Sequence, residues 1–264
     1  MMRKGFSIVF VLIAIFAIHS MAFPAKIDPG KLGVIYYCAF PVTITLDGKF
    51  DDWPSVVPWH KVPHDRGTQP APDDNDASYE FACVADENYL YVAFKVRDDK
   101  KVVGEDTGCN VWKDDSVEVY IDGGNEKANS YDANDSQVTI GRDNVGGDPE
   151  HPKLGGCVGQ LQGPNTGTKA FVVDTDYGWA VEAALPLETW GIELRDGLVI
   201  GFNTHLNDDD DKGPRDHKLI WSEKDVADTS WKDPSVFGEL KFVEVKLAVS
   251  PRDKLATVWG ALKR

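Results

Sequence analysis

The chain has 264 residues, and 43 Asp and Glu against 28 Lys and Arg give it a formal net charge of -15. A surface this acidic excludes tracking of a nucleic-acid backbone, where each phosphate contact needs a cation to displace counterions, and it disfavours anionic membrane surfaces for the same reason. A hydrophobic fraction of 42% with 11% aromatics supplies a real core and excludes general disorder.

The elements follow in chain order. Arg3 and Lys4 precede an apolar run from Phe6 to Ile18, and Ser20-Met21-Ala22 places small residues at a cleavage site. The run is shorter than the roughly 20 residues of a membrane span. Residues 1–22 therefore predict a cleaved signal peptide and an exported protein, secreted, extracellular or periplasmic, with no membrane insertion after cleavage. Residues 23–41 read as an N-terminal arm. Short runs of alternating polarity then begin: 42–46, 79–84, 89–96, 116–121, 137–140, 169–173, 178–185, 198–206, 218–221 and 237–245, each bounded by Gly, Asp, Asn or Pro. Period-two runs at this density predict antiparallel strands. Only Leu187 to Trp190, after Pro186, suggests a helical turn. The expectation is an all-β, antiparallel two-sheet sandwich of jelly-roll or immunoglobulin type over residues 42–246, with long loops at 125–168 and a basic tail at 247–264. There is no internal repeat.

Cys38, Cys83, Cys109 and Cys157 are an even set in an exported chain. Two disulfides are expected, and Cys38–Cys83 with Cys109–Cys157 is favoured among the three pairings. The wide spacings exclude zinc ribbons and thioredoxin-type sites.

The stretch from Trp112 to Asp122 is the most informative. Val117, Val119 and Ile121 share one strand face, while Ser116, Glu118 and Tyr120 share the other. That second face is either a solvated surface or the floor of a groove in which Glu118 binds hydroxyls. Trp112 and Trp221 stand at strand ends among charged residues, where two indoles could clamp a pyranose against its apolar C–H faces. The acidic runs Asp73, Asp74, Asp76 and Asp208, Asp209, Asp210, Asp211 offer hard oxygen ligands and make structural calcium the expected cofactor. The second run is not an EF-hand loop, because Lys212 and Leu219 occupy ligand positions. His60 and His64 have Pro63 between them, which argues against a helical zinc pair, and no G-x-S-x-G elbow or P-loop is present. Asn134-Asp135-Ser136 is a single glycosylation sequon.

The ordered motifs resemble family 9 carbohydrate-binding modules. They are Ile44-Thr45-Leu46-Asp47-Gly48 with Asp51-Asp52-Trp53, Glu87 to Val92, Trp112 to Asp122, Tyr131 to Asp135, Gly178 to Glu182 and Ser235 to Leu240. The resemblance covers roughly residues 42–245. It implies a β-sandwich with calcium and a sugar slot between two tryptophans. On that resemblance Trp112 is the first slot tryptophan and Glu118 its carboxylate. Arg142 is a hydroxyl-binding arginine and Trp221 the second wall, and Asn203, His205 and Lys218 give rim contacts. The reading is a non-catalytic protein binding an oligo- or polysaccharide. Two alternatives compete with it. A haem-carrying electron-transfer sandwich would want a Met ligand, but Met1, Met2 and Met21 all lie in the leader. A polysaccharide hydrolase has no nucleophile motif to support it.

Overall fold

The structure is a computed structural model that describes residues 26–104 and 106–245. The expected signal peptide and the basic tail lie outside the described residues. Among the described residues no helix is long and apolar enough to cross a membrane. The strands are β1 (Ile35–Phe40), β2 (His60–Val62), β3 (Gly67–Gln69), β4 (Ala77–Ala85), β5 (Tyr89–Asp98), β6 (Ser116–Asp122), β7 (Asp135–Gly141), β8 (Leu154–Gly155), β9 (Lys169–Thr175), β10 (Gly178–Pro186), β11 (Val199–Asp208), β12 (His217–Ile220) and β13 (Gly238–Glu244). The remaining regular structure is short 3₁₀ turns, including Gly108–Lys113 and the expected Leu187–Trp190.

The all-β class stands, but the sheet is mixed and continuous rather than two antiparallel layers. Its hydrogen-bonded order is β8-β7-β6-β11-β13-β1-β4-β5-β10-β9, with β12, β2 and β3 off this path. The seam is β1, which runs parallel to both β13 and β4. Sequence reading placed residues 35–40 in an arm and made 42–46 the first strand. Ile35–Phe40 is instead an interior strand, buried between two neighbours, and it reads as a near-continuous apolar run as such strands do. The sheet curls so that alternate residues of both halves share one core, with Phe81, Phe94, Val117, Val119, Trp179, Phe202, Trp221 and Phe242 among its members.

Residues 42–57 cover the outer face of β1, β4, β5 and β10. Val42, Ile44, Trp53 and Val57 pack on Ala39, Ala82, Ala93 and Ala184, whose small side chains allow close approach. Glu182 pins this cover from β10. It is fully buried and accepts the amides of Asp47 (2.9 Å) and Gly48 (2.6 Å) and the indole N–H of Trp53 (2.9 Å).

One of the two expected disulfides is present, Cys109–Cys157. Cys38 and Cys83 are buried thiols, which corrects the other pairing. Each sits one residue before the paired Ala39 and Val84 on parallel strands. Both side chains belong to the apolar core cluster, where burial raises each thiol well above its ordinary range and keeps it protonated.

Replacing Glu182 with Ala strips three donors of a charged acceptor and is expected to cost about 3 kcal/mol. The measurement is the urea midpoint at unchanged slope. An unchanged midpoint would mean that apolar contact alone holds the cover.

Candidate functional site

Strands β7, β6, β11 and β12 form one polar face. Antiparallel pairing aligns three rows across neighbouring strands: Gln137, Tyr120 and Asn203; Thr139, Glu118 and His205; and Ser116, Asn207 and Lys218. The intervening residues Val117, Val119, Ile121, Val138 and Ile140 enter the core. Period-two geometry thus makes a polar floor from strands that are apolar on their other side.

Above this floor lies a cleft of about 440 Å³, lined by Trp112, Glu118, Tyr120, Gln137, Arg215, Lys218, Asp228 and Trp231 together with Cys109, Cys157 and Val158. Its size is in the range of small-ligand clefts. Glu118 is the centre of the floor. Lys218 Nζ donates to Oε2. Tyr120 OH donates to Oε2 at 2.7 Å and Gln137 Nε2 to Oε1 at 2.8 Å, while His205 Nδ1 lies 3.2 Å from Oε2. Burial would raise the Glu118 carboxyl, but Lys218 and His205 outweigh it and hold it well below the usual carboxylate range. Burial lowers the Lys218 ammonium, and Glu118 opposes that shift. Burial and then the Glu118 charge drive the Tyr120 phenol well up.

The walls come from loops. Trp112 is the penultimate residue of the 3₁₀ turn before β6, and the Arg215 guanidinium lies 4.9 Å from its ring centre. Arg215 is held by Asp228 (2.5 Å) and Asn207 (3.1 Å). Trp231 comes from the β12–β13 connection and is 42% exposed. Buried Asp225 ties that loop down by accepting the amides of Thr229 (2.7 Å) and Ser230 (3.2 Å) and lying 3.4 Å from His205 Nε2.

The structure brings Trp112, Glu118 and Lys218 into the cleft. Asn203 and His205 lie in the floor, fully buried and bonded to each other at 2.9 Å. Trp221 is corrected. It is fully buried in the core, and its indole N–H donates to His60 at 3.0 Å. Lys218 and Trp221 are three residues apart, so a strand cannot present both on one face. Arg142 is corrected too. It turns away from the floor and is clamped by Asp98 (2.8 Å), Asp115 (3.3 Å) and Asp174 (3.0 Å). Sequence reading missed Gln137, Arg215, Asp228 and Trp231. Strand parity would have found Gln137, but no period carries a loop residue such as Trp231.

The expected calcium ligands divide. Asp73 accepts the amides of Asn75 and Asp76, and Asp74 is held by Lys61 and His64, so neither joins a cluster. Asp76, Asp208 and Asp210 converge with His217, Asp208 also converges with Asp98 and Asp115, and Asp209 and Asp211 converge with Asp216. The residues fit a cation. Buried Asp76 Oδ2, Asp208 Oδ2 and Asp209 Oδ2 have no hydrogen-bond partner. Burial and four neighbouring carboxylates push Asp208 up to about 10, and burial with Asp98 pushes Asp115 up to about 8. An oxygen-rich set suits a hard dication such as calcium.

A polar-floored cleft with aromatic walls on an all-β body is the build of a small-ligand binding module. The family model described as "Carbohydrate family 9 binding domain-like" matches residues 46–245, and the chain belongs to that family. Endo-1,4-beta-xylanase A of Thermotoga maritima is 35% identical over 176 residues, which is 65% of this chain and 14% of that protein. Exoglucanase XynX of Acetivibrio thermocellus is 31% identical over 198 residues, 75% of this chain and 16% of that one. The chain thus spans a small part of these relatives' length. A family 9 module of Caldicellulosiruptor kristjanssonii, solved with cellotriose, superposes with a TM-score of 0.65 at 21% identity, covering 82% of this chain and 100% of that one. The same module solved with glucose gives 0.62.

Replacing Lys218 with Met leaves Glu118 charged and buried, an expected loss of about 3–5 kcal/mol. Adding Glu118→Gln should restore most of it, read by urea unfolding. A single variant as stable as the wild type would show that Glu118 does not need its cation.

Proposed function

We propose that the cleft between Trp112 and Trp231 binds a neutral sugar unit of an oligo- or polysaccharide and releases it unchanged. The observation that carries the reading is the pairing of aromatic walls with a fully buried hydrogen-bonding floor. An indole offers an apolar surface to the C–H face of a pyranose, and the hydroxyls at its rim need polar partners. Lys218 uses two of its donors on Glu118 and Asn207, which leaves one for a ligand. Gln137 spends its amide N–H groups on Glu118 and Tyr120, so its carbonyl oxygen can accept. The Trp112 and Glu118 assignments from sequence are kept, and Trp231 takes the wall given there to Trp221.

The state of Glu118 supports binding rather than turnover in this cleft. A glycoside hydrolase needs a carboxylic acid that keeps its proton near neutral pH. Glu118 is held in the opposite sense by Lys218 and His205. The cellotriose and glucose bound by the Caldicellulosiruptor module favour β-linked glucans or related chains as first candidates. The polysaccharide-degrading relatives and the leader together support export.

We further assign structural calcium to the carboxylates that converge on Asp208, either Asp76 and Asp210 on one side or Asp98 and Asp115 on the other. When bound, the ion would neutralise carboxylates crowded at the ends of β5, β6 and β11.

In titration calorimetry with cellotriose, Trp231→Ala and Trp112→Ala should each weaken binding at least about tenfold, an expected loss of about 1.4 kcal/mol or more. Trp221→Ala should instead lower stability. Wild-type affinity in both cleft variants would refute the sugar assignment. Chelator treatment should lower the melting temperature by several degrees and added calcium should restore it. A melting curve indifferent to both rejects the ion.

A further inference from the structure

The Cys109–Cys157 bridge lies outside both apolar clusters of the fold. Cys109 is exposed and Cys157 half-buried, so the bridge does not serve the core. Both sulfurs' residues line the cleft instead, beside Val158. Cys109 sits in the same 3₁₀ turn as Trp112, three residues before it. Cys157 belongs to the long connection between β7 and β9, whose strand pairing is the two-residue β8 and a single bridge from Val145 to Val172. The two segments press together at Gly155, where a β-carbon would stand 2.5 Å from the Val111 side chain and 2.9 Å from the Gly108 carbonyl. Gln162 Nε2 donates to the Cys157 carbonyl at 3.1 Å and holds that end.

We propose that the Cys109–Cys157 bridge is a binding-site element, forming with Val158 an apolar wall of the cleft and fixing the turn that presents Trp112 to the ligand. The proposal rests on the reading of the cleft as a sugar site and names what positions its first aromatic wall. A disulfide and a valine offer surface without hydrogen-bonding groups, which matches the C–H faces of a sugar ring. The bridge also removes freedom from the turn before binding. Ordering that turn at the moment of binding would otherwise oppose affinity. Trp112 is thereby held by a covalent link at one side and by Arg215 over its ring.

The test compares wild type, Cys109→Ser/Cys157→Ser and Val158→Ala, each titrated with cellotriose and each observed through its ¹⁵N-indole resonances. The bridge-free variant should bind about tenfold more weakly, with a shifted Trp112 indole signal and unmoved signals from buried Trp53, Trp179, Trp190 and Trp221. Val158→Ala keeps the bridge and should bind about threefold more weakly through lost wall contact alone. Affinity within twofold of wild type in both variants overturns the proposal. So does a bridge-free variant that unfolds or moves every buried indole, because the bridge would then support the fold at large. If the wild type itself binds no cellotriose while the bridge-free variant shifts Trp112 alone, the tether is upheld and the sugar reading is what fails.

Discussion

Glu118 carries its charge at 1% exposure, and the charge persists there only because Lys218, Tyr120, Gln137 and His205 face it from three neighbouring strands and its own. An isolated buried carboxylate would take up a proton instead. The pairing therefore constrains the register of β6 against β7 and β11, and of β11 against β12. A one-residue slip would send Glu118 into the apolar core and Val117 or Val119 to the floor. The same interaction prepares the cleft. Its donors and acceptors are already bonded to one another in fixed directions, so a ligand meets groups that need little reordering.

Much of this was legible in the strands and little of it in the loops. The alternation from Ser116 to Asp122 announced both faces of β6, and its polar side became the floor. The same rule, applied strictly, would have separated Trp221 from Lys218, since residues three apart on a strand point to opposite faces. It would also have set Arg142 apart from Gln137 and Thr139 at the end of β7. Trp221 was placed in the slot because charged neighbours were read as exposure, and Arg142 because of its position in the family resemblance. Trp221 is buried although Ser222 and Glu223 follow it, because the chain turns only after the indole has entered the core. Trp231 gave no signal, being in a connection where position depends on Asp225 reaching back to His205 rather than on any period. Strand β1 was missed because an apolar run between two parallel neighbours lacks alternation.

Parity also sorts the acids. Asn203, His205 and Asn207 of β11 face the floor, whereas Asp208 faces the other way and meets Asp98 and Asp115. That cluster lies at the end of the core, where Arg142 supplies one cation to several carboxylates. Burial raises the Asp98, Asp115 and Asp208 carboxyls, neighbouring carboxylates add to the shift at Asp115 and Asp208, and the single Arg142 guanidinium lowers Asp98 and Asp115 without offsetting it. A sequence view that groups acids by adjacency gathers Asp208 to Asp211, whose carboxylates do converge with others, but it also gathers Asp73 and Asp74, which the fold assigns to local amides and to Lys61 and His64.

The cluster and the cleft meet in residues 208–216. Asp209 donates its amide to Asp115 (3.2 Å), Asp216 donates to the Asp208 carbonyl (2.8 Å), and the chain returns with Arg215 over Trp112. Crowded carboxylates at one end of this loop thus bear on the placement of a cation at the other. Floor residues need no such help, because ladders on both sides hold them. The walls do, since Trp112 and Trp231 stand on segments with few ladder hydrogen bonds. Covalent, ionic and capping contacts therefore gather around the walls: the bridge and Arg215 at Trp112, and the Asp225 cap at Trp231. Rigid strands fix the hydrogen-bonding pattern, and these local restraints fix the spacing of the aromatic surfaces above it.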